Sequence, residues 1–110
     1  MSFVLHPSRR FPVYRPVTYQ TGLFEGHGAV WNLSLTGWRF SGDLPLRVGD
    51  VCSLTVNLSI GQQVYVTAGI VRRVRGEDFG VETLAIDEES QEDLDEYLCQ
   101  RLAESAENIE

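Results

Sequence analysis

The stretch Trp31-Asn32-Leu33-Ser34-Leu35-Thr36-Gly37-Trp38-Arg39-Phe40 decides the fold. At a strand's period of two, Trp31, Leu33 and Leu35 share one side, and Asn32, Ser34 and Thr36 share the other. Gly37 allows a turn or a close backbone approach that a Cβ would block. Beyond it, Trp38 and Phe40 alternate with Gly37, Arg39 and Ser41, so a second strand returns with its own aromatic face. The expectation is buried Trp31, Trp38 and Phe40, and an outer shelf of small hydrogen-bonding groups beside a glycine. Asn, Ser and Gly are also ordinary turn residues, so the shelf alone names no ligand.

Outward from this stretch the chain keeps the strand period. The pattern predicts strands over 13–20, 26–35, 37–41, 51–58, 63–74 and 79–84. The fourth is the clearest, with Cys52, Leu54, Val56 and Leu58 on one side and Ser53, Thr55 and Asn57 on the other. Gly61 and Gly76 mark turns, and Gly69 marks a bulge or bend inside the fifth strand. Many short strands separated by turn signals argue for a meander closing into a barrel or sandwich. Near Glu88 the period changes. Leu94, Tyr97, Leu98 and Leu102 recur three and four residues apart, which predicts an amphipathic helix over about 90–103. Ser90 and Asp93 have the spacing of a capping box.

Composition sets the class. A chain of 110 residues, 43% apolar and 23% charged, suits one globular domain with one core. Cys52 and Cys99 match no metal spacing and read as reduced thiols of a cytoplasmic protein. The start, Met-Ser-Phe-Val-Leu-His-Pro, carries too short an apolar run for a signal peptide, and no stretch approaches a membrane span. Charge is unevenly placed. Residues 1–86 hold eight arginines and six acids, a net of +2. Residues 87–110 hold ten acids and only Arg101, a net of −9, which together give the overall −7. Every basic residue is arginine, whose planar fork suits phosphate and guanine and stacks on bases. The acidic tail would repel duplex DNA, so a small anionic ligand is the expected partner.

Catalysis finds little support. His6 and His27 have no evident nucleophile beside them, and no glycine-rich phosphate loop precedes a helix. The chain reads as a binding module and not an enzyme, with no metal site.

The residues Asn32-x-Ser34-x-x-Gly37, together with Arg9-Arg10-Phe11-Pro12 and Phe79-Gly80-Val81-Glu82, resemble the PilZ domain family. These are small bacterial β-barrels, many of which bind the second messenger cyclic di-GMP. The resemblance spans roughly residues 8 to 102. The family's Asp/Asn-x-Ser-x-x-Gly motif is complete. Its Arg-x-x-x-Arg motif is degenerate, because Val13 stands four residues after Arg9 and Tyr14 four after Arg10. The resemblance implies a mainly β protein, a six-stranded antiparallel split barrel with one C-terminal helix. Residues 1–12 would be a flexible arm, 13–104 the barrel and helix, and 105–110 a frayed tail.

The implied function is a cytoplasmic receptor or adaptor in bacterial signalling. It would bind cyclic di-GMP without a cofactor and relay its level to an effector protein, with no contact to DNA and no insertion into a membrane. Asn32, Ser34 and Gly37 would take the barrel-wall role, with the Asn32 oxygen and Ser34 hydroxyl accepting from guanine. Arg9 and Arg10 would take the role of the arm. Spacing alone adds Arg39, which shares the parity of Gly37, and Arg15, which could replace the guanidinium that Val13 lacks. Arg15 lies six residues after Arg9, so the two would share a side of an extended arm. Two alternatives stand beside this reading. One is a degenerate module that has lost the nucleotide and works through protein contacts. The other is an unrelated small barrel that binds nucleic acid or carbohydrate.

Overall fold

The computed structural model describes residues 9–59 and 61–107. Six strands and one helix follow in order: β1 (Phe11–Thr21), β2 (Phe24–Leu33), β3 (Gly37–Gly42), β4 (Val51–Ser59), β5 (Gln62–Arg75), β6 (Asp78–Ala85) and α1 (Glu88–Glu107). Each strand pairs antiparallel with its neighbours, and the sheet closes as β1-β2-β3-β6-β5-β4. Closure removes the free edges of the sheet. The expected fold is therefore the observed one, with strand ends within about two residues of expectation. Residues 1–8, which carry most of the expected arm and His6, and residues 108–110 lie outside the described residues.

Strand alternation fills the barrel. On β4, Cys52, Leu54, Val56 and Leu58 are buried, while Val51, Asn57 and Ser59 are exposed. Tyr19, Phe40 and Phe79 form an aromatic cluster with centroids 4.9 to 6.2 Å apart. The Tyr19 ring crosses the backbone at Gly26 and Gly42, where an added Cβ would collide with it. Its hydroxyl donates to the Leu44 carbonyl at 2.6 Å and accepts from the Leu44 N–H at 2.8 Å. A buried phenol is thus satisfied by backbone, as burial requires.

Two expectations need correction. Trp31 is 41% exposed, although Trp38 and Phe40 are fully buried. The cause is a bulge in β2. Val30 pairs with Phe40 and Asn32 with Arg39, so Trp31 is an extra residue without a partner on β3. Val30 and Leu33 point inward, and Trp31 and Asn32 both point outward. Nor does Ser90 cap the helix. The cap is Asp87, whose carboxylate accepts from the Ser90 N–H at 2.7 Å. Ser90 is instead buried, and its hydroxyl accepts from the Tyr65 N–H at 2.9 Å, fastening α1 to β5. Leu94, Leu98 and Leu102 supply the buried stripe, with Tyr97 packed beside them.

Candidate functional site

A row of paired residues crosses the outer face of four strands. Asn32 on β2 pairs with Arg39 on β3, Arg39 with Gly80 on β6, and Gly80 with Arg73 on β5. Two residues along the ladder, on the same face, Gly37 pairs with Glu82. Over these rows lies an open cavity of about 430 Å³, lined by Arg10, Thr36, Gly37, Arg39, Arg72, Arg73, Gly80, Val81 and Glu82.

Bulges aim the site. On β5, Val71 and Val74 turn inward while Arg72 and Arg73 both stay exposed. Val71 pairs with Val81 and Arg73 with Gly80, so Arg72 is the extra residue. A regular strand would send one arginine of the pair into the core. The β2 bulge does the same for Trp31 and Asn32. Glycine does the rest. An added Cβ on Gly80 would lie 3.4 Å from the Cβ of Arg73, so the floor between Arg39 and Arg73 is bare backbone. On Gly37 it would lie 3.0 Å from the Val81 carbonyl oxygen and 3.8 Å from Arg10 Nη2. Arg10 thus lies over Gly37, and its Nη1 donates to Asn32 Oδ1 at 3.0 Å.

Four guanidinium groups and one carboxylate, Glu82, meet at the wall. Glu82 Oε2 accepts from Arg72 Nε at 2.7 Å. The excess of positive charge favours an anion, and the arginine forks favour phosphate or a purine edge.

The residues expected from sequence fall into three groups. Arg10, Gly37 and Arg39 line the cavity, and Asn32 adjoins it through Arg10. Ser34 is buried in the turn between β2 and β3. Its hydroxyl accepts from the Gly37 N–H at 3.1 Å and the Thr36 N–H at 3.3 Å, and its own N–H donates to the Gly37 carbonyl at 2.8 Å. The serine and glycine of the motif therefore shape the hairpin that presents Asn32 and Arg39. Arg9 and Arg15 stand apart from the cavity wall. The Arg9 guanidinium stacks 5.1 Å from the Phe11 ring centroid. Arg15 Nε donates to the Asn57 carbonyl at 2.9 Å, on the β4 side of β1. Val13, at the degenerate motif position, points into the core. Arg72, Arg73, Gly80 and Glu82 were missed as site residues. The Arg72-Arg73 doublet inside an apolar strand was the available signal.

The PilZ domain profile matches residues 7–100. The chain belongs to the PilZ domain family. No curated protein sequence matches it. Among solved structures it is similar to the Bacillus subtilis inhibitor of motility MotI/DgrA, with a TM-score of 0.72 and 21% identity over 86% of this chain. It is also similar to the PilZ domain of CeSA from a cellulose-synthesizing bacterium, with a TM-score of 0.66 and 17% identity over 87% of this chain. It spans 50% of the first structure and 99% of the second. At these identities the likeness carries the PilZ fold. No helix among the described residues is long and apolar enough to cross a membrane. No group of three His, Cys, Asp or Glu among them could hold a metal ion.

Proposed function

We propose that this PilZ domain is a cytoplasmic, non-catalytic receptor for cyclic di-GMP that passes the signal to an effector protein. The observation that carries the reading is the row Asn32–Arg39–Gly80–Arg73, roofed at one end by Arg10. Cyclic di-GMP has two phosphates and two guanines. Arginine forks match the phosphates and the O6 and N7 atoms of guanine. Bare backbone at Gly80 gives a flat ring a surface to lie on. The degenerate arm is offset locally. Arg39 and Arg73 supply from the barrel wall the guanidinium groups that Val13 does not supply from the arm.

A relay route starts at the same place. Arg101 of α1 donates through Nη2 to the Pro12 carbonyl at 2.7 Å, two residues after Arg10. Closure of the arm over a nucleotide would pull on this bond, and α1 is the acidic surface a partner would sense.

Buried Val13 favours a second reading, in which the domain works through protein contacts alone. Calorimetry separates the two. The receptor reading expects saturable heat with cyclic di-GMP, weakened tenfold or more by Arg10→Ala. No heat at near-millimolar nucleotide would leave the partner-only reading.

A further inference from the structure

Guanine has two polar edges. Its O6 and N7 accept hydrogen bonds, which the arginines answer. Its N1–H and N2 amino group donate, and they need an acceptor. The side-chain acceptors of the Asn-x-Ser-x-x-Gly motif are engaged elsewhere: Asn32 Oδ1 by Arg10, and the Ser34 hydroxyl within its own turn. Among the described residues that line the cavity, Glu82 is the one carboxylate. It stands directly across from Gly37 in the β3–β6 ladder, two residues along β6 from the bare backbone of Gly80 where a ring would lie. Arg72 Nε holds its Oε2 at 2.7 Å and so anchors one oxygen of the carboxylate. For phosphate alone, an acid at this place would be a cost, since it repels the ligand.

Resting on the cyclic dinucleotide reading above, we propose that Glu82 accepts from the N1–H and N2 amino donors of one guanine and makes the site select guanine over adenine. Adenine presents an acceptor at N1 and a donor at N6, so one oxygen of the carboxylate would face a lone pair. A matched edge is worth roughly 5- to 100-fold in discrimination. Arg72 is a positioning residue that acts through Glu82.

The test is calorimetric titration of the full chain with cyclic di-GMP and with cyclic di-AMP. The parent is expected to bind the guanine compound at least tenfold more tightly. Glu82→Gln, whose amide suits adenine, is expected to reduce that ratio at least fivefold. Because both ligands carry the same phosphates, the ratio cancels the change in net charge. Arg72→Ala keeps the carboxylate but removes the bond that orients it, and is expected to lower the ratio by less than Glu82→Gln does. A ratio changed less than fivefold by Glu82→Gln, or lowered more by Arg72→Ala than by Glu82→Gln, overturns the role of Glu82 while leaving the receptor reading intact. A parent that binds neither nucleotide overturns the receptor reading, and the role of Glu82 with it.

Discussion

Arg39 and Arg73 flank Gly80 on adjacent strands, and each carries a fork that a phosphate or guanine would accept. Each change to alanine is expected to weaken cyclic di-GMP binding by ~1.5–3 kcal/mol, as for a lost charge-assisted contact. Arg15→Ala is expected to bind as the parent does, because its guanidinium is committed to the Asn57 carbonyl. Parallel titrations check all three. Spacing in the sequence suggested Arg15 and Arg39 alike, and only the barrel separates them: β1 turns Arg15 toward β4, and β3 turns Arg39 toward β6. Cys52 gives a prediction away from the site. Burial, and then the Asp50 carboxylate, push its thiol up to about 11. Tyr19 is raised too, chiefly by burial. Both groups favour the proton in the folded state, so the unfolded chain loses protons first as pH rises. The stability they contribute is full below about pH 8.5, where a free thiol begins to ionise, and falls from there. Melting temperatures should drop steadily toward pH 11, and Cys52→Ser should remove part of that slope.

At the scale of elements, the strands and the helix were legible because alternation and the three-to-four spacing survive in nearly every segment. Bulges were not. Trp31-Asn32 and Arg72-Arg73 break the period of two, and nothing in either doublet says which residue is extra. That choice is made by the partner strand, where Phe40 and Val81 must face the core. The site was accordingly legible on β2 and β3 and illegible on β5. The helix start misled for a related reason. Ser90 has the chemistry of a cap, but it lies three residues inside the helix and serves β5 instead. Asp87→Ala is expected to cost ~0.5–2 kcal/mol of stability, the range for a lost cap. Ser90→Ala leaves the Tyr65 N–H without its acceptor and is expected to cost about 1–3 kcal/mol. Denaturant unfolding of the two variants measures both, and an unchanged midpoint for Asp87→Ala would contradict the assigned cap.

Across the whole molecule, charge is unevenly placed: Arg39, Arg72 and Arg73 gather on the β3–β6–β5 wall, and α1 is rich in acids. Nucleotide affinity should therefore fall as salt is raised, because the forks hold phosphate partly by charge. Closure of the barrel keeps this wall fixed, so a ligand would meet a preformed surface. One measurement tests this most directly: backbone amide NMR of the labelled chain titrated with cyclic di-GMP. The account predicts shifts concentrated at Asn32, Gly37, Arg39, Arg72, Arg73, Gly80 and Glu82, with Asn57 and its β4 neighbours unmoved. Shifts centred on β4, or a spectrum unchanged at near-millimolar nucleotide, would contradict it.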